Sequence, residues 1–78
     1  MSLTDDELLK QYQILEYFAY SHLKPELQRV SRPWCELAFE TARSLPRNAE
    51  TSTALRKLLE GKDAAVRAAL SMNSSGRV

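Results

Sequence analysis

From Asn48 to Met72 the apolar positions recur at helical spacing: Leu55, Leu58, Leu59, Val66, Ala69 and Leu70 draw one stripe along a helix of about six turns. Asn48 suits its N-cap, because a side-chain oxygen can accept a free first-turn amide, and Glu50 suits the positive end of the dipole. The stripe is broken once. Lys62 stands where another leucine would continue it, directly after Gly61. A helical glycine costs about 1 kcal/mol relative to alanine, so Gly61 predicts the close approach of something else.

Earlier in the chain, Thr4 and Glu7 form a capping box, with Asp5 and Asp6 beside it. Leu8, Tyr12, Ile14, Leu15 and Phe18 then extend an apolar face, which predicts a helix from Thr4 to about Tyr20. Pro25 suits a first helical position, so residues Pro25 to Val30 read as a short helix. Ser31-Arg32-Pro33 restarts or kinks it, since a residue before proline avoids the helical region. From Pro33 onward, Trp34, Leu37, Ala38, Thr41 and Leu45 line one face, which Cys35, Phe39 and Ala42 widen. Leu45 to Asn48 is the turn into the last helix. The expected fold is all-α: three main helices plus a short linking one, with the second and third long helices antiparallel across their short connection. Residues 1–73 form the single domain and 74–78 a tail.

Composition changes this picture in one respect. Seventy-eight residues with one cysteine allow no intrachain disulfide, and below about 70–80 residues a lone core seldom supplies more than 3–5 kcal/mol. Apolar faces on every long helix therefore point to a homo-oligomer. A net charge of +1 sets up no field toward nucleic acid or membrane. No apolar run approaches the roughly 18 residues of a spanning helix, and the acidic start MSLTDDELLK is unlike a signal peptide. The expectation is a cytoplasmic protein that does not engage a membrane.

Candidate chemistry is sparse. One histidine and one cysteine lack an orienting third group; Cys35 reads as a small buried thiol. Two glycines make no phosphate loop, and neither zinc spacing nor paired carboxylates occur. An enzyme, a metal or a cofactor is not expected. His22 follows the cluster Tyr17-Phe18-Ala19-Tyr20 and either caps a helix end or lines a pocket, where Tyr20 could stack on a base. Arg56, Lys57, Lys62 and Arg67 are the basic set of the last helix. Arg56–Glu60 and Asp63–Arg67 have the spacing of i,i+4 pairs, which would make much of that charge a solvated face. Lys62 interrupts the apolar stripe, so it either snorkels to solvent or points into a site for an anion. The candidate ligand-binding set is Lys62, Arg56, Arg67, Tyr20 and His22.

The segments FAYSHL, ELQRVS and LRKLLEGKDAAVRAAL together resemble a family of small, all-helical, uncharacterised phage and prophage proteins. That family carries F-x-Y-x-H-L, L-Q-x-V-S-x-P and L-R-K-L-L-E-x-K-D-x-A-V-R-A in this order. The likeness runs from about Phe18 to Leu70. It departs at Lys24, where a proline is expected, and at Gly61, where an alanine is expected. The resemblance implies a phage origin. A looser likeness, in size, helicity and the basic last helix with V-R-A, is to helical sponge proteins that phages direct against CBASS and Thoeris immunity. That likeness implies a cyclic oligonucleotide ligand held between subunits in the host cytoplasm without cleavage, and no binding residue carries over from it. The alternative is a non-enzymatic protein–protein interaction module or host-protein inhibitor with no small ligand.

Overall fold

The computed structural model describes residues 3–75, with side chains to Ser71. The chain forms helix α1 (Asp5–Gln11), a 3-10 helix (Gln13–Phe18), helix α2 (Pro25–Ser44) and helix α3 (Ala49–Ser75), with no strand among the described residues. The all-α class matches the expectation; the element boundaries do not.

The capping box is formed. The Glu7 amide donates to Thr4 Oγ1 at 3.2 Å and the Thr4 amide donates to Glu7 Oε1 at 2.8 Å. The predicted helix from Thr4 to Tyr20 is two elements, because the chain turns extended at Tyr12 (φ −129°, ψ 91°). The reason lies in the spacing. Leu8 and Tyr12 are four apart, as one α-helical face requires, but Tyr12, Leu15 and Phe18 are three apart, and all four are buried. A 3-10 helix has three residues per turn and brings positions i and i+3 into line, whereas an α-helix would fan them apart.

Residues Pro25 to Val30 are not a separate linking helix; they are the first turns of α2, which runs through Pro33. Proline removes one backbone hydrogen bond, to the carbonyl four residues back. That carbonyl belongs to Arg29, and Arg29, Arg32 and Pro33 are all exposed, so water can take the vacated acceptor. The face that α2 buries is Leu27, Ser31, Ala38 and Ala42. Leu37 and Leu45, expected on it, are 50% and 47% exposed.

The connection to α3 is fixed by local bonds. The Thr51 amide donates to Asn48 Oδ1 at 3.0 Å, which makes Asn48 the cap expected of it, and the buried Thr51 hydroxyl donates to the Pro46 carbonyl at 2.7 Å. From this turn α2 and α3 run antiparallel, with the Trp34 indole against Gly61. One core joins all four elements through Leu8, Tyr12, Leu15, Phe18, Ala38, Ala42 and Leu55. Each fully buried Leu or Phe stabilises by roughly 1.5–3 kcal/mol. Arg43 ties the N-terminal segment to α2: its Nε donates to the Leu3 carbonyl at 3.3 Å and its Nη2 to Asp5 Oδ1 at 2.6 Å.

The molecule measures 45 × 22 × 16 Å with a radius of gyration of 13.7 Å, against about 11.5 Å for a spherical domain of this length. The elongation is that of α3, whose 27 residues span about 40 Å. Helix α3 continues to Ser75, past the expected tail boundary at 73, and residues 76–78 of that tail lie outside the described residues.

Candidate ligand-binding site

Helix α3 presents Lys62, Asp63, Val66 and Arg67 on one side, and the 3-10 helix with its following linker presents Glu16, Tyr17, His22 and Leu23 opposite. Between them lies a pocket of about 350 Å³. The linker is set by Gln28, whose side-chain amide donates to the Leu23 carbonyl at 2.8 Å, and by the Leu23 amide, which donates to the Tyr20 carbonyl at 3.0 Å. Lys62 Nζ lies 3.1 Å from Asp63 Oδ1, with the lysine side chain 12% exposed and the aspartate 47%. The lysine stem is thus covered, and its ammonium stays at the pocket wall with a carboxylate beside it.

Three of the five expected residues meet here: Lys62, Arg67 and His22. Two do not. Arg56 is exposed on another part of α3 and does not line this pocket. Tyr20 lines two other depressions, and Tyr17, 67% exposed, supplies the aromatic face at this one. The linker separates the two tyrosines: Tyr17 lies within the 3-10 helix, which ends at Phe18, and Tyr20 lies past Ala19 (φ −59°, ψ 141°), where the helix has ended. The two expected i,i+4 pairs are replaced as well. Glu60 pairs with Lys57 at 3.8 Å and Asp63 with Lys62, so among the described residues neither Arg56 nor Arg67 has a carboxylate partner. Lys62 and Arg67 share the α3 wall with Asp63 and face Glu16 across the pocket, so two cations and two carboxylates balance its formal charge.

A larger groove, about 760 Å³, runs between the N-terminal segment and α2. Leu9, Leu15, Tyr20 and Phe39 form its walls, Asp5, Glu16 and Glu36 its rim, and Cys35 and Arg43 also face it. Cys35, expected as a small buried thiol, is a half-buried residue of the groove wall. Burial pushes its pKa up, the carboxylates of Asp5 and Glu36 push the same way, and Lys62 opposes them. Sequence patterning misses this groove because Asp5, Glu16, Glu36 and Arg43 meet only after the chain folds back. Arg43 itself carries no sequence signal, being one arginine among several.

Among the described residues no three His, Cys, Asp or Glu side chains gather as metal ligands, and no helix is long and apolar enough to cross a membrane. Among the described residues, fold and site define a small all-α protein with a mixed-charge pocket beside α3 and a separate acid-rimmed apolar groove. No protein-family model, curated protein or solved structure matches this chain.

Proposed function

We propose that this chain is a phage-encoded, homo-oligomeric binding protein. It sequesters a phosphate-bearing signalling nucleotide, of the cyclic oligonucleotide class used in antiphage immunity, in the host cytoplasm without cleaving it. The observation that carries this reading is the meeting of Lys62, Arg67 and His22 at one pocket with the exposed ring of Tyr17. Lys62 and Arg67 supply charge-assisted donors for a phosphate, and Tyr17 supplies a face on which a base can stack, worth about 1–3 kcal/mol. Asp63 then yields the lysine ammonium to the phosphate. A volume of about 350 Å³ stands near the lower end of small-molecule sites. It suits one nucleotide unit, so a larger ligand calls for a second copy of the chain to complete the site.

Calorimetry with a panel of cyclic di- and trinucleotides tests this. Lys62→Ala is expected to weaken binding by about 1.5–3 kcal/mol, the scale of a hydrogen bond to a charged group, while far-UV circular dichroism stays unchanged. Bound nucleotide is expected intact after denaturation, and ultracentrifugation at micromolar protein is expected to give a mass above the monomer. Failure of the wild type to bind any of the panel overturns the reading. It would favour the second one, an interaction module or host-protein inhibitor without a small ligand, which the acid-rimmed groove supports independently.

A further inference from the structure

We propose that the groove between the N-terminal segment and α2 is a docking site for a basic amphipathic helix of a partner protein. Its volume, about 760 Å³, is more than twice that of the Lys62 pocket. Leu9, Tyr20 and Phe39 are only half-buried, so apolar surface remains open to a partner, while Asp5, Glu16 and Glu36 at the rim are exposed.

Charge selects the occupant. Arg43 is the one cation facing the groove among the described residues, and its guanidinium is already engaged by Asp5 at 2.6 Å, the Leu3 carbonyl at 3.3 Å and Glu40 at 3.7 Å. Glu36 pairs at 3.0 Å with Arg32, but both side chains are more than 60% exposed. Such a pair is worth about 0–1 kcal/mol and exchanges readily for an incoming cation. Glu16 has no cationic partner among the described residues. The rim is therefore net negative on a chain whose overall charge is +1. An anionic nucleotide would meet the unpaired carboxylate of Glu16 and two carboxylates whose cations are already engaged, and is disfavoured here. A helix with apolar anchors at i, i+3 or i+4, flanked by lysine or arginine, matches both the walls and the rim. This site shares only Glu16 and the neighbouring Ala19 with the proposed nucleotide pocket.

The chain's only cysteine, Cys35, faces the groove and reports on its occupancy. The probe is a fluorescein-labelled Leu/Lys amphipathic peptide of about 14 residues, with a Leu/Glu peptide of the same pattern as control. Binding is read by anisotropy, and location by the rate at which a disulfide reagent modifies Cys35 at about pH 8.5. The Leu/Lys peptide is expected to bind, to slow Cys35 about tenfold, and to weaken with added salt. The double substitution Glu16→Gln, Glu36→Gln, at two exposed positions, is expected to weaken it about three- to tenfold with unchanged circular dichroism. Lys62→Ala is expected to leave peptide binding unchanged, so this reading and the nucleotide reading fail separately. Equal binding of the Leu/Glu peptide, or binding without protection of Cys35, overturns the proposal. So does Cys35 reactivity that falls with protein concentration in the absence of peptide, since a second copy would then be the occupant.

Discussion

Trp34 lies where the side chain of any other residue at position 61 would begin. A Cβ added to Gly61 would stand 2.7 Å and 2.9 Å from two carbons of the indole ring. The glycine that weakens α3 locally is thus what lets α2 and α3 pack at this point. Gly61→Ala gains about 1 kcal/mol of helix propensity but overpacks a contact whose displacement costs about 1–3 kcal/mol. The expected net loss is about 1 kcal/mol by urea denaturation. In a Trp34→Ala background the same change is expected to stabilise by about 1 kcal/mol. Additive effects of the two substitutions would show that the ring does not occupy this position.

Pro33 sits inside α2 on its exposed side. An interior proline costs about 3 kcal/mol relative to alanine, offset by about 0.4–1 kcal/mol through the unfolded chain. Pro33→Ala is therefore expected to raise stability by about 2 kcal/mol with an unchanged m-value. A loss of stability would mean that the ring packs against something on that face.

Ser31 is fully buried, and its hydroxyl has no hydrogen-bond partner among the described residues. An unpaired buried hydroxyl carries a desolvation cost of about 1–3 kcal/mol. Ser31→Ala is expected to stabilise by about 1 kcal/mol in thermal or urea melts. Destabilisation would count against the hydroxyl being unpaired.

Arg43→Met keeps the side-chain stem and removes the bonds to the Leu3 carbonyl, Asp5 and Glu40. Asp5 and Glu40 are 70% and 67% exposed, so solvent screens both pairs and the expected loss is only about 1 kcal/mol. The wild-type advantage is expected to shrink in high salt, and hydrogen exchange at Leu8 to quicken. A salt-independent loss would point to packing of the stem instead.

The Cys35 thiol has a raised pKa, caused first by burial and then by Asp5 and Glu36. Its modification rate is expected to rise with a midpoint above the value of a free thiol, about 8.5. A folded-state pKa above the unfolded one gives a stability contribution present in full below the unfolded value. That contribution is lost as pH rises through the folded value. Cys35→Ala is expected to remove that alkaline slope. A midpoint at or below the free-thiol value would contradict the partial burial of Cys35.

Features written within a few residues are legible in the sequence itself. The Thr4–Glu7 box, the Asn48 cap and the Pro25 start each need only the next turn of chain, and each is formed. Gly61 announces a close approach but not its partner, since Trp34 is brought in by the antiparallel packing of α2 on α3. The break at Tyr12 is obscured because Leu8, Ile14, Leu15 and Phe18 fit a continuing α-helix nearly as well as a change to threefold spacing. Pro33 misleads because the rule for the residue before proline takes no account of which side faces water. At the candidate site, Lys62, His22 and Arg67 line one pocket. Tyr20 departs because the linker past Ala19 carries it away from Tyr17, and that path has no sequence signature.

The clamp of Arg43 on Leu3 and Asp5 spans 40 and 38 residues, whereas the α2–α3 hairpin closes across a four-residue link. Closing a long loop costs conformational entropy before any contact returns it. The N-terminal segment is therefore expected to dock last, on an α2–α3 hairpin already formed, because Leu8 and Phe18 are covered only once those helices have packed. Folding kinetics of conservative truncations are expected to show it, with φ-values near zero at Leu8 and Phe18 and higher ones at Ala42 and Leu55.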